Sequence, residues 1–197
     1  MSTRTEATIE DLYHVDEDGK AEIVNGELVL MSPTGDLHGS AALEIVVRLH
    51  KYGKRTKRGR AYGDNVGFIV NLPNRRSFSP DAAFYIGPRT GSKFLEGAPV
   101  FAVEIRSEGD YGPAAEQRIA DKRRDYFAAG TLCVWDVDLL SPDRIKSYHA
   151  GDPEKAIIYR SGDVAIAGNA VPDWSMEVDE LLPDESCRAN LEPESSK

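Results

Sequence analysis

The sequence predicts an α/β (α+β) domain built on a mixed central β-sheet, and three observations predict it. Two long segments, 37–51 and 113–129, repeat their apolar residues at helical spacing. Several short β-type apolar runs are separated by Gly- and Pro-rich turns. The two periodicities interleave along one chain of 197 residues, the length of a single domain with short appendages.

Taken in order, Thr8 is a plausible cap for a short helix over Ile9 to Tyr13. Asn25-Gly26 lies between the apolar runs 21–24 and 27–32, and this pair marks a hairpin because both turn positions need positive φ. Pro33 ends the hairpin. Leu37, Ala41, Ile45 and Leu49 then define an amphipathic helix that runs into a basic stretch at Gly53. Three strands follow, near 65–72, 81–86 and 100–105. Pro113 suits the first turn of the second helix and Gly130 suits the position just past its end. Cys133 to Val137 reads as a strand, and shorter strands near 144–148, 156–159 and 164–167 follow at meander-like spacing. Residues 1–183 form the expected domain, and 184–197 form a polar, acidic tail expected to be disordered.

The net charge of −9 argues at first against a nucleic-acid partner, but its distribution weakens that argument. Residues 1–30 and 173–197 each hold 8 acids and 2 bases, whereas 31–172 hold 17 acids and 20 bases. Arg48, Lys51, Lys54, Arg55, Lys57, Arg58 and Arg60 form an acid-free patch suited to phosphates, or else a solvated helix end. No apolar run reaches the length of a membrane span. Cys133 and Cys187 make no disulfide framework, so a reducing cytoplasm fits best.

Two carboxylates carry the chemistry. Asp81 opens Asp-Ala-Ala-Phe-Tyr-Ile, and Glu104 closes Pro-Val-Phe-Ala-Val-Glu-Ile. A charge at the edge of a buried strand is costly unless it is paired or binds metal. Two acids on adjacent strands with a lysine behind them suit a magnesium-dependent phosphodiesterase, because a hard cation takes one or two protein carboxylates and keeps much of its water. Strand alternation sends Glu104 and Arg106 to one face, with Phe101, Val103 and Ile105 opposite. At 100° per residue, Ile119, Lys122, Arg123 and Tyr126 share one side of the second helix, so Lys122 meets the sheet. The alternatives are a surface Glu104–Arg106 pair and a lysine that snorkels along the sheet edge.

Glu22-Ile-Val-Asn-Gly-Glu-Leu, Met31-Ser-Pro, His38, Ser79-Pro-Asp81, Val103-Glu-Ile-Arg-Ser107, Lys122-Arg-Arg-Asp-Tyr-Phe-Ala-Ala-Gly130 and Val134-Trp-Asp-Val-Asp138 resemble the Uma-type restriction-endonuclease family. That family belongs to the PD-(D/E)XK nuclease superfamily, and the likeness runs from about residue 8 to 182. It implies a restriction-endonuclease-like core with helices flanking the sheet. It also implies a metal site for Mg²⁺ (or Mn²⁺) from Asp81, Glu104 and the carbonyl of Ile105. The superfamily's usual lysine position holds Arg106 here, a departure, since arginine cannot act as a base but can still clamp a phosphate. Lys122 matches the lysine that this family takes from the following helix. Glu22 and His38 match family positions as auxiliary residues, and His38 could equally be structural.

The resemblance implies in-line hydrolysis of a phosphodiester in DNA, in which Lys122 would stabilise the developing negative charge or orient the water. Beside two carboxylates without metal Lys122 should stay charged, so a role as a base would require the cation. Two other readings stay open: a catalytically silent binding or assembly module on the same fold, and a hydrolase of another phosphate ester. A symmetric homodimer is the default expectation for a soluble homo-oligomer, and no membrane partner is expected.

Overall fold

A six-stranded sheet organises residues 6–15 and 19–182, the part of the chain that this computed structural model describes. The expected tail, 184–197, lies outside the described residues. Thr8 caps α1 (Ile9–Tyr13): its hydroxyl accepts the Asp11 N–H, and the Asp11 carboxylate accepts the Thr8 N–H. β1 (Lys20–Val24) and β2 (Glu27–Met31) form the antiparallel hairpin, with Asn25 at φ 51° and Gly26 at φ 75°. α2 (Asp36–Thr56) follows. The next strands are β3 (Arg60–Gly63), β4 (Phe68–Ile69), β5 (Ser77–Phe78), β6 (Ala82–Tyr85), β7 (Leu95–Glu96) and β8 (Phe101–Ile105). α3 (Pro113–Ala128) crosses over to β9 (Cys133–Val137). β10 (Ile145–His149), β11 (Asp152–Tyr159), β12 (Val164–Ile166) and β13 (Ser175–Glu177) complete the strands.

The main sheet runs β11-β10-β9-β8-β6-β3. β8 and β9 pair parallel and every other neighbouring pair is antiparallel, so the sheet is mixed. A parallel pair needs a crossover connection, and α3 supplies it. Each sheet face buries its own apolar set. Ala41, Ile45, Leu49 and Tyr52 of α2 pack on Phe84, Phe101, Val103 and Trp135, and Trp174, Met176 and Leu181 close that core. On the other face Tyr126 of α3 joins Phe68, Phe78, Tyr85, Ala102 and Val134. Phe101, Trp135 and Tyr126 are fully buried, each stabilising the fold by about 2–3 kcal/mol on area grounds.

β3, β5, β7 and β13 lie outside the expected elements, and two of the expected elements differ in extent. α2 continues past Gly53 to Thr56 and stops at Lys57, whose φ is 61°. Gly53 is a point of close approach rather than a stop: a Cβ there would sit 2.7 Å from the Gly59 carbonyl oxygen. The run at 65–72 pairs only at Phe68–Ile69, in a separate sheet ordered β5-β4-β7. A turn closed by the Leu72 N–H to the Arg75 carbonyl, at 3.1 Å, reverses the chain before a longer strand can form.

Candidate active site

Glu104 is the fourth residue of β8 and faces α3, as strand alternation requires. Asp81 immediately precedes β6 on the neighbouring strand. Its N–H donates to the Val103 carbonyl at 3.1 Å, and its Oδ2 accepts the Ile105 N–H at 2.8 Å. Asp81 is thereby pinned to the residues on either side of Glu104. The N–H and C=O of one strand residue leave on the same side, so the Ile105 carbonyl also faces the Asp81 side.

α3 brings three side chains to this place within one turn. Lys122 Nζ lies 2.7 Å from Glu104 Oε2 and 2.9 Å from Glu22 Oε1. Tyr126 Oη donates to Glu104 Oε1 at 2.6 Å. Asp125 accepts from Arg75 Nε at 2.8 Å and from Asn74 Nδ2 at 2.9 Å. Arg75 in turn donates to Glu22 Oε2 at 2.5 Å, and the Ser79 N–H donates to Glu22 Oε1 at 2.9 Å. On the Asp81 side, Lys20 Nζ lies 2.9 Å from Asp81 Oδ1 and 2.6 Å from Asp64 Oδ1. His38, from the first turn of α2, places Nε2 3.2 Å from Asp81 Oδ2, while its buried Nδ1 has no hydrogen-bond partner among the described residues.

Two ion-pair chains therefore converge on the adjacent strand ends. One runs Asp64–Lys20–Asp81, and the other Glu104–Lys122–Glu22–Arg75–Asp125. Both line a cleft of about 860 Å³ whose far wall includes Val29 and Met31 of β2.

The charges respond to one another. Burial pushes the Asp81 carboxyl up, but His38, Lys20 and the Ile105 N–H outweigh it and hold it well below the usual range. Burial likewise raises Glu22, and Lys122 and Arg75 more than reverse that. Glu104 ends above its ordinary value: burial comes first, Lys122 opposes it, and the charges of Asp81 and Glu22 add to the rise. Burial lowers Lys122, yet Glu104 and Glu22 carry it well above the ordinary lysine value, so it is an ammonium at neutral pH. Lys20 is raised too, burial being outweighed by Asp81 and Glu104. Burial lowers His38, and Asp81 raises it by more.

The expected centre of Asp81, Glu104, Lys122, Glu22, His38 and Ile105 is brought together. Arg106 lines the same cleft, but its guanidinium is spent on protein partners. It donates to Asp136 through Nε and Nη2, both at 2.7 Å, and also binds Glu116. Its side chain is 4% exposed, so its guanidinium is held as a buried cation between Asp136 and Glu116.

The basic segment stands apart. Arg55 lies about 25 Å further along α2 than His38, at ~1.5 Å per residue. Arg48 is engaged by Glu44 and Glu180, and Arg60 donates to the Gly87 carbonyl at 2.6 Å. Arg58 reaches Asp173 at 3.5 Å, and Lys51, Lys54, Arg55 and Lys57 are exposed.

Sequence reasoning missed Lys20, Asp64 and Arg75, and gave Tyr126 a face but no partner. Lys20 left a signal, since it alternates with Glu22 and shares its face of β1. Arg75 left none, because its partners lie about fifty residues away on either side.

Among the described residues no three His, Cys, Asp or Glu side chains form a ready cage for a metal. The donor chemistry nevertheless fits a hard divalent ion. Asp81, Glu104 and the Ile105 carbonyl offer only oxygen, and Mg²⁺ needs no more than one or two carboxylates from protein. The two chains set five carboxylates against three permanent cations, and a divalent ion matches that excess.

Residues 7–179 match the Uma2 family, described as "Putative restriction endonuclease". The chain belongs to the Uma2 family. A comparison with curated proteins finds no match. Among solved structures, a "putative nuclease belonging to DUF820" from Anabaena variabilis ATCC 29413 is similar, with a TM-score of 0.68 at 16% identity. That similarity covers 89% of this chain and 97% of the other, and it shows a shared fold. For this Uma2 member, no helix among the described residues is long and apolar enough to cross a membrane.

Proposed function

We propose that the chain is a metal-dependent endonuclease that hydrolyses phosphodiester bonds in DNA. One observation carries the reading: two strand-end carboxylates, Asp81 and Glu104, meet in a cleft with the Lys122 ammonium 2.7 Å from Glu104. Membership of a family described as restriction endonucleases, and the likeness to a protein called a nuclease, support it. Mg²⁺ or Mn²⁺, held by Asp81, Glu104 and the Ile105 carbonyl, would supply Lewis acidity at the phosphoryl group. The chain's own residues do the rest. Without metal, Glu104 and Glu22 hold Lys122 as an ammonium, and that charge would stabilise the negative charge that grows on the phosphoryl oxygens. Lys20 supplies the same field from the Asp81 side. Glu22 holds Lys122 on one flank, Tyr126 fixes the Glu104 carboxylate, and His38 fixes that of Asp81.

A catalytically silent module on the same fold is the competing reading, and it is favoured by the capture of Arg106 in a structural pair. Purified full-length chain incubated with supercoiled plasmid and Mg²⁺ or Mn²⁺ separates the two. The nuclease reading expects nicking or linearisation that a chelator stops and that Asp81→Ala abolishes, with Mn²⁺ heat in calorimetry lost in the same variant. Mn²⁺ binding without any cleavage favours the silent module. Equal cutting by wild type and Asp81→Ala would sink the assignment of the site.

A further inference from the structure

Two strand edges among the described residues, those of β11 and β2, are treated very differently. β11 ends the main sheet, and its sequence Asp-Pro-Glu-Lys-Ala-Ile-Ile-Tyr places a proline and three charged residues on the edge. Such residues deter pairing with another chain. β2 is the outer strand of the β1–β2 hairpin, and no other strand among the described residues pairs with it. Its central residues carry no guard: Leu28, Val29 and Leu30 are 37%, 45% and 67% exposed. The hairpin's other edge is covered. Val24 bridges Arg75, the Asn25 N–H donates to the Asn74 carbonyl at 2.8 Å, and the Arg76 N–H donates to the Ile23 carbonyl at 3.0 Å.

Register identifies what fits the open edge. In a hairpin closed by a two-residue turn, the residues flanking the turn, Val24 and Glu27, form a hydrogen-bonded pair, and such pairs then alternate. Glu27, Val29 and Met31 therefore direct their backbone groups inward to β1. Leu28 and Leu30 direct theirs outward. We infer that this chain forms a two-fold homodimer by antiparallel pairing of β2 with β2 of a second copy, centred on Val29. In that register Leu28 of one copy stands opposite Leu30 of the other, and the outward N–H and C=O groups of both meet as hydrogen-bonded pairs. Val29 faces its own symmetry mate. The two Glu27 carboxylates stand opposite Met31 and not each other, four residues apart along the strand, or about 14 Å at ~3.4 Å per residue.

Self-complementarity selects a second copy over other occupants, because the apolar pattern Leu-Val-Leu reads the same from either direction, as an isologous interface demands. The acidic segment 184–197 offers no matching apolar alternation. A nucleic acid has no use for an apolar edge. The pairing also sets the partner strand beside the cleft wall, which Val29 and Met31 help to form.

Sedimentation velocity of the full chain, from low to high micromolar, is the test. Wild type is expected to sediment as a dimer. Leu30→Pro removes an outward N–H while leaving the ladder to β1 intact, and Leu30→Lys puts a charge on the edge in both copies. Each is expected to weaken the dimer by about 100-fold or more, since the change enters the interface twice, with an unchanged circular-dichroism spectrum. Ile157→Lys, on the guarded β11 edge, is expected to leave the dimer intact. A wild-type monomer throughout the range overturns the inference. So does a dimer that survives both Leu30 variants, or one that dissociates with Ile157→Lys alone.

Discussion

Arg106 offers the sharpest test of how the site is built, because its place in the sequence suggests catalysis and its contacts suggest support. Arg106→Met removes a guanidinium that meets Asp136 in a two-pronged pair at 2.7 Å and also binds Glu116. The side chains of Arg106 and Asp136 are 4% and 5% exposed, so the aspartate is left as a buried charge without its partner. Breaking a buried pair from one side costs about 3–5 kcal/mol. Glu116 is half exposed and adds little. With a urea m-value of about 2 kcal/mol/M, the unfolding midpoint should fall by about 1.5–2.5 M. Arg106→Met combined with Asp136→Leu should recover most of that loss, since replacing both partners by apolar groups is often close to neutral. Urea titrations followed by tryptophan fluorescence read both variants, because Trp135 is the neighbour of Asp136 in β9. A single variant that loses less than about 1 kcal/mol would refute the supporting role, and so would a double variant that recovers nothing.

Three further outcomes are expected. Lys122→Met should reduce plasmid cleavage by at least about 100-fold while Mn²⁺ still binds in calorimetry, because the ammonium stabilises charge and is not a ligand. Cleavage at the wild-type rate would move the essential cation elsewhere. Tyr126→Phe deletes the hydroxyl that donates to Glu104 at 2.6 Å, and loss of such a supporting hydrogen bond should cost about 10–100-fold in metal affinity or cleavage; an unchanged Mn²⁺ titration and rate would show that Glu104 is oriented without it. Changing Lys54, Arg55, Lys57 and Arg58 together to glutamine should flatten the salt dependence of DNA binding by about 0.9 for each phosphate no longer neutralised. Cleavage at saturating DNA should stay unchanged, as the segment lies far from the cleft, and an identical salt slope would return it to a solvated helix end.

Features governed by neighbours in sequence were legible in advance. Asn25-Gly26 declares its turn because few residues accept positive φ, and Pro113 with Gly130 brackets α3. Strand alternation placed Glu104 opposite Val103 and Ile105, and the helical period turned Lys122 to the sheet. The members that escaped are held by partners from distant segments. Lys20 meets Asp81 across 61 residues, and Arg75 joins β1 to α3 from a loop with no periodicity. The fate of Arg106 was hidden for the same reason: only the parallel pairing of β8 with β9 sets Asp136 beside Glu104, within reach of the guanidinium. The three small strands of the β5-β4-β7 sheet are two residues each, too short for alternation to show.

Because Lys122, Asp125 and Tyr126 all come from one turn of α3, the site is sensitive to chain length in a way that a strand-borne lysine would avoid. One residue inserted between Pro113 and Lys122 would rotate all three by about 100° and separate Glu104, Glu22 and Arg75 from their partners together. The connection at 107–110 has no such phase to keep: it is stitched locally by the Ser107 N–H to Asp110 at 2.8 Å, and Tyr111, which donates to Asp138 Oδ1 at 2.9 Å, anchors the chain before it enters the helix at Gly112. Insertions and deletions among relatives that keep this site should therefore collect after Arg106 and before Tyr111, and leave the stretch from 113 to 126 at constant length.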